Sequence, residues 1–302
     1  MLSKFLAERY PGNFSVSCEV EMICQRFIGL KLADTNFATD LCTGDENKFW
    51  QRFSEALLAH ELLEAGLTLL PKQDGPDLLI QHKERNVWVE VMCPESRDLP
   101  DNFAEISEHR ISEPHKERLL RWTAAIKEKS EKLLGNPDKK IKGYIAKGIV
   151  GPDDAYVIAI NGRLLRGTFF ASIDGISTYP YAVEAVFNFG PKVLSINVDT
   201  RDVVGEGHQY RPLISKSRGE PVPADTFLNP AFSRVSAIWA TDVDERSIYG
   251  DAKQMAVIHN PNAVAKHLVP AGILPALYEY FIVKQGDEDF LERRPGRMHP
   301  EA

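Results

Sequence analysis

Apolar positions along the chain follow three spacings: helical, alternating and continuous. Between Asn47 and about Ala65 the text FWQRFSEALLAHELLEA contains no Gly or Pro and is rich in helix formers. It stops at Gly66, which predicts a helix closed by a C-terminal glycine. LTLLP then reads as a short strand, KQDGP as a turn, and DLLIQH, KERN and VWVEVMC as strand, turn and strand, a meander. Alternation in the last strand places Val87, Val89, Val91 and Cys93 on one face and Trp88, Glu90 and Met92 on the other. One acid thus sits inside an otherwise apolar strand. Residues 95–115 are polar and, counted with Pro94, contain three prolines, which predicts a loop. From Pro114, expected at the first helical position, HKERLLRWTAAIKEKSEKLL predicts a second long helix ending at Gly135. NPDKKIKGYIAKGIVGPDD then connects it to AYVIAIN, an apolar run typical of a buried strand.

The order is helix, three strands, helix, strand, over residues 47–161. Residues 1–46 mix a helical opening with polar stretches such as ADTNFATDLCTGDEN and read as an N-terminal elaboration. Residues 162–302 carry further strand-like runs, AVEAVFNF, KVLSINVD, RVSAIWA and QMAVIH, separated by Gly- and Pro-rich loops. This strand-rich extension either continues the same sheet or forms a second layer. No repeat period or low-complexity tract interrupts it.

Composition narrows the function classes. A chain of 302 residues fits one large domain or two ordinary ones, and 43% hydrophobic with 26% charged residues is the balance of a folded globular protein. No stretch approaches the roughly 18 apolar residues of a membrane span, and MLSKFLAERYPG is too broken by charge to be a secretory segment, so a cytoplasmic location is expected. Cys18, Cys24, Cys42 and Cys93 lack paired spacing and are read as free thiols. The formal net charge of −7 gives no global attraction for nucleic acid, so any such binding requires a local basic surface. Two clusters could contact phosphates, Lys139, Lys140 and Lys142, or Lys216 and Arg218, although charge runs of this kind are usually solvated loops. The chain holds no Walker-type phosphate loop, no HExxH and no G-x-S-x-G, which removes three common enzyme classes.

Hydrolysing a phosphodiester at neutral pH requires cations that neutralise transition-state charge and activate a water, hence converging carboxylates. Asp77 opens one strand of the meander and Glu90 lies in the next, so the pair is placed to converge at one end of the sheet. Gly75-Pro76-Asp77, followed thirteen residues later by Glu90 in an apolar strand, resembles the PD-(D/E)XK nuclease superfamily. The resemblance spans residues 47–161, and the order of elements carries more of it than the short motif does. It implies an α/β, restriction-endonuclease-like mixed sheet flanked by helices, with extra elements at both ends. It also implies a metal-dependent endonuclease using Mg2+, with Mn2+ as a substitute, on DNA ahead of RNA. Asp77 and Glu90 match the metal-binding carboxylates, and Glu55, eleven residues before Gly66, matches an acid found on the first helix of many members. Homodimerisation follows only by fold-level analogy.

One position departs from that pattern. Where a lysine is expected two residues after the strand acid stands Met92, whose thioether carries no charge. Some members place the lysine on the following helix instead. At 100° per residue Trp122, Ile126, Lys129 and Leu133 fall within about 60° of one another, which puts Lys129 in the apolar stripe and makes it the expected replacement. Lys127 and Lys132 are expected to point elsewhere as solvated charges.

Each candidate has a plainer reading. Asp77 is a turn residue after Gly-Pro; Glu90 belongs to a buried ion pair or is an edge-strand acid; Glu55 is a solvent-facing helix acid; Lys129 lays its stem over the core edge with its head in water. Gln81 and Glu95 flank the candidate site, Trp50, Trp88 and Trp122 pack, and His259 in HNPNA belongs to a turn signal. At the level of function, the alternatives are a degenerate nuclease fold kept as a nucleic-acid or protein binding module, with Met92 the mark of lost catalysis, and an unrelated small-molecule site elsewhere. The direction of the Lys129 head separates the first two readings.

Overall fold

The computed structural model describes residues 1–100, 114–167, 173–249, 253–286 and 288–297. Most of the loop expected over 95–115 therefore lies outside the described residues. Helices α1 (Leu2–Arg9), α2 (Phe14–Gly29), α3 (Phe37–Leu41) and α4 (Glu46–Glu64) come first. Strands β1 (Thr68–Leu69), β2 (Leu78–His82) and β3 (Arg85–Met92) follow, then α5 (His115–Leu134) and β4 (Ala155–Asn161).

The ends of α4 show why it forms where it does. The Asp45 side chain accepts from Lys48 N at 3.0 Å, satisfying one of the free amides of the first turn. At the other end Gly66 takes φ 77, and the Gly66 and Leu67 amides donate to Leu63 O and Leu62 O at 3.0 Å. That paired arrangement needs a left-handed residue, which glycine supplies without strain. Pro114 caps α5 from outside the helix rather than occupying its first turn, a one-residue difference from the sequence expectation.

After β4 the chain forms α6 (Tyr181–Val186), β5 (Phe189–Ile196), β6 (Val203–Tyr210), β7 (Leu213–Ile214), β8 (Val222–Pro223), β9 (Ala237–Asp242), β10 (Gln254–His259), β11 (Tyr278–Gln285) and β12 (Glu288–Pro295). Eight strands build one mixed sheet in the order β1-β2-β3-β4-β9-β10-β11-β12. The meander is antiparallel, β3–β4 and β4–β9 are parallel, and β9–β10 is antiparallel. RVSAIWA and QMAVIH thus extend the same sheet. AVEAVFNF differs from expectation, since its first residues form α6, fully buried over Tyr181–Val186 against α5. KVLSINVD falls in β5, which pairs only with β6 in a separate hairpin whose strands are largely exposed.

Alternation along the central strands divides the core. Val87, Val89, Val91, Val157, Ala159, Trp239 and Val257 face α1 to α4, joined there by Leu6, Ile23, Phe37, Phe53 and Leu57. Trp88, Tyr156, Ile158, Ile160, Ile238 and Ile258 face α5 and α6, packing on Trp122, Ile126 and Tyr181. Residues 1–46 therefore pack into the same core as the meander. The protein is an α/β structure in which a large mixed sheet is flanked by helices on both faces. No helix among the described residues is long and apolar enough to cross a membrane. The four cysteines carry no disulfide.

Candidate functional site

Glu90 is the acid that strand alternation places on the α5 face. It is 1% exposed, and its carboxylate meets three donors: Lys129 Nζ at 3.0 Å and Lys132 Nζ at 2.8 Å on Oε1, and Tyr144 OH at 3.3 Å on Oε2. Lys129, 4% exposed, thus points its head into the site rather than into solvent. Lys132 was expected to stand apart as a solvated charge and does not. It lies three residues from Lys129, on the neighbouring helical row, and its long stem carries the ammonium back to Glu90 while the side chain stays 43% exposed.

Asp77 precedes β2, whose register with β3 (Leu78 opposite Val89) carries Asp77 to the position opposite Glu90. Its Oδ2 accepts the Val91 amide at 2.7 Å, which ties the carboxylate to the end of β3. Glu55, 5% exposed on α4, approaches from the other helical layer, near enough for the Asp77 charge to act on it. Arg52 donates to both its oxygens, at 3.3 and 3.2 Å, and also pairs with Asp40 at 2.8 Å. Gln51 joins the layers: its amide nitrogen donates to Glu55 Oε1 at 3.2 Å and Val91 O at 3.3 Å, while its oxygen accepts the Cys93 amide at 3.0 Å.

A cleft of about 620 Å³ is lined by Glu55, Asp77, Met92, Arg121, Lys129 and Lys132, while Glu90 sits behind the two lysines and does not itself line it. Glu95 also lines it, whereas Gln81 points into solvent from β2 and does not. Met92 keeps the strand position and packs partly against the α5 layer. Lys139 pairs with Glu131 at 2.7 Å, away from the acids. His259 bonds Glu279 at 2.9 Å in a different part of the sheet.

Burial and its partners set the charge states. Burial alone would raise the Glu90 carboxyl, but Lys129 and Lys132 override it and hold it below the ordinary value. Burial would likewise depress the Lys129 ammonium, yet Glu90 and Asp77 hold it above. Asp77 is pushed up to about 6 by burial and the Glu90 charge, against the two lysines. Glu55 is pushed up to about 8 by burial and the Asp77 charge, with Arg52 opposing. Burial and the Glu90 charge raise the Tyr144 hydroxyl.

Among the described residues no group of three or more His, Cys, Asp or Glu side chains stands arranged to hold a metal ion. The donor chemistry nevertheless suits a hard cation. Asp77 and Glu55 are oxygen donors both raised by burial and a neighbouring acid charge, and Asp77 spends only one oxygen on the backbone. Glu90 offers its oxygens to two lysines and a tyrosine, so it could join a cation only as one of those donors yields. Gln51, Arg52, Lys132 and Tyr144 are the site residues that sequence reasoning passed over. Three of them carried a signal: Gln51 and Arg52 precede Glu55 by one helical turn, and Lys132 follows Lys129 by three residues. Tyr144 lies in an irregular segment with no periodicity to read.

No family model, curated protein or solved structure matches the chain. What is established is the α/β class with its large mixed sheet, and the polar cleft at the ends of β2 and β3.

Proposed function

We propose that the protein is a metal-dependent endonuclease of restriction-endonuclease-like fold, hydrolysing phosphodiester bonds in DNA ahead of RNA. The observation that carries this reading is the 3.0 Å contact between Lys129 Nζ and Glu90 Oε1. It supplies, from α5, the cation that the PD-(D/E)XK pattern expects at the position of Met92. Asp77 and Glu90 would hold Mg2+ or Mn2+, with Glu55 supporting directly or through water. Bound there, the cation would lower the pKa of a water and neutralise charge on the phosphoryl oxygens.

The protein's own residues account for the rest of the chemistry. Lys129 keeps its proton through its pairing with Glu90 and the nearby Asp77 charge, so it serves as a fixed positive charge beside the developing phosphorane rather than as a base. Asp77 and Glu55, which burial and the neighbouring acid charges raise to about 6 and about 8, would give up their protons when a cation binds and so act as its ligands rather than as the base. Gln51 fixes Glu55 against the end of β3. The alternative, a degenerate fold acting as a binding module, draws on the same Glu90, whose oxygens are satisfied by Lys129, Lys132 and Tyr144 without a metal.

The test is cleavage of supercoiled plasmid and single-stranded DNA with Mg2+ or Mn2+, comparing wild type with Glu90→Ala and Lys129→Ala. Metal-dependent cutting lost in both variants is the expected result. A folded wild type that cuts neither substrate sinks the enzyme and favours the module.

A further inference from the structure

A second cleft, of about 590 Å³, runs along the outer face of α5 beside the candidate site, and Arg121 lines both. Its basic side chains are Lys116, Arg121 and Lys127 from α5, and Lys216 and Arg218 from the turn between β7 and β8. Among the described residues lining the cleft only Asp98 and Glu117 oppose these five cations, and Glu117 is held by Lys116 at 3.7 Å. In a chain of net charge −7 this is a concentrated local excess of positive charge. Lys127, Lys216 and Arg218 are exposed and form no salt bridge among the described residues, although the Lys127 charge helps to hold the Glu131 carboxyl down.

We infer that this basic groove is the track along which the phosphate backbone of a duplex nucleic acid reaches the candidate site. The inference rests on the nuclease reading for what happens at the end of the track, though not for the binding itself. Lys116 and Lys127 lie eleven residues apart, three helical turns, and so share a face. From Lys116 to Lys132 is sixteen residues, about 24 Å of helix, the rise of about seven base pairs. Lys132 lies about 160° round the helix from Lys116 and lines the candidate site instead, so Lys116 and Lys127 form the row along the groove and Arg121, which lines both clefts, joins it to the site. A duplex is favoured over a single strand because single-strand sites interleave cations with aromatic platforms for unstacked bases. Among the described residues no aromatic side chain lines either cleft. A surface of lysine and arginine without base-stacking or base-edge partners positions a backbone and reads no sequence.

The experiment measures binding of the full chain to a 20-base-pair DNA duplex of arbitrary sequence in EDTA, from 50 to 200 mM salt. It compares wild type, Lys127→Ala, Lys216→Ala/Arg218→Ala, and a control, Lys4→Ala/Lys31→Ala, that removes equal charge from the helical layer over the other sheet face. Each variant's melting temperature checks its fold. Each lost phosphate contact should lower the slope of log K against log salt by about 0.9, so the 216/218 pair should lose about 1.8, weaken binding at least tenfold near 100 mM, and leave the control unchanged. Lys127→Ala should lose about half as much. Equal loss in the control, no loss in either groove variant, or tighter binding of the matching single strand would each overturn the track. Plasmid cleavage separates the two ideas. Groove variants that bind and cut like a cutting wild type sink the track alone. A wild type that binds duplex through these residues but never cuts with Mg2+ sinks the nuclease alone.

Discussion

Lys129 and Glu90 belong to α5 and β3, and in the folded protein Nζ stands 3.0 Å from Oε1 with both side chains buried. Separating two such charges costs more than the pair contributes, because the survivor is left desolvated without a partner. Lys132 shares the same oxygen at 2.8 Å and limits that cost. Lys129→Ala should therefore lose about 1–3 kcal/mol and stay folded, while Lys132→Ala, whose side chain is 43% exposed, should lose under about 1 kcal/mol. The double variant should lose more than the sum, since only then is Glu90 stripped of both cations. Urea denaturation of the four proteins closes the cycle; strict additivity would mean that the lysines do not share Glu90 in solution.

The carboxyl pair Asp77 and Glu55 gives a pH dependence of definite sign. Both are raised in the fold, to about 6 and about 8, above ordinary values near 4. The folded state then binds more protons than the unfolded one between about pH 4 and pH 8, so these groups make stability fall as pH rises through that window. Glu90, held low, acts oppositely: its contribution is present above about pH 4 and is lost in more acid solution. Melting temperature in EDTA should drop from pH 5.5 to pH 8. Millimolar Mg2+ should restore more of it at pH 8 than at pH 5.5 if Asp77 and Glu55 take a cation. Asp77→Asn/Glu55→Gln should flatten both responses, and an unchanged slope in that variant would assign the effect to other groups.

Much of this arrangement was legible before the structure, and the part that was not has identifiable causes. Trp88, Glu90 and Met92 share a face because strand period is fixed at two, and Lys129 sits in the α5 stripe because helical period is fixed at 3.6. Lys132 escaped the same wheel because a wheel records where the Cα–Cβ bond points, and a lysine ammonium lies several bonds further on. AVEAVFNF carries β-branched and aromatic residues, yet Pro180, with φ −55, starts α6 there, and its buried faces on α5 override strand propensity. The hairpin of β5 and β6 pairs as strands should, but which strands join the main sheet is a tertiary outcome that local pattern does not encode.

Tyr144 reaches Glu90 because its segment is folded tightly onto the end of α5. Its amide donates to Lys132 O at 2.9 Å, and a Cβ on Gly143 would stand 2.3 Å from Gly135 N and 2.4 Å from Leu133 O. Gly143→Ala should therefore cost roughly 2–4 kcal/mol by forcing backbone apart. Gly148→Ala, at φ +71 with open space around it, should cost only about 1 kcal/mol. Tyr144→Phe removes one hydrogen bond to a charged oxygen and should lose about 1–2 kcal/mol. Thermal melts of the three variants test the ranking; Gly148→Ala worse than Gly143→Ala would contradict the close packing at Gly135.

Arg52 is the cation that keeps the Glu55 carboxyl from rising further, since burial and the Asp77 charge both push it up and Arg52 alone opposes them with a full charge. Removing that charge as Arg52→Gln should raise the apparent pKa of Glu55 above about 8, and removing the Asp77 charge as Asp77→Asn should lower it. The two substitutions move one titration in opposite directions, which a general loss of structure cannot do. Carboxyl-carbon NMR on protein labelled at glutamate, with Glu55→Gln to assign the resonance, reads the shift directly. If the nuclease reading holds, the pH profile of cleavage should move the same way in Arg52→Gln, rising to a higher pH midpoint as Glu55 ionises later. A Glu55 resonance that titrates near 4 in the wild type would show that the carboxylate is solvated, and would remove it from the site.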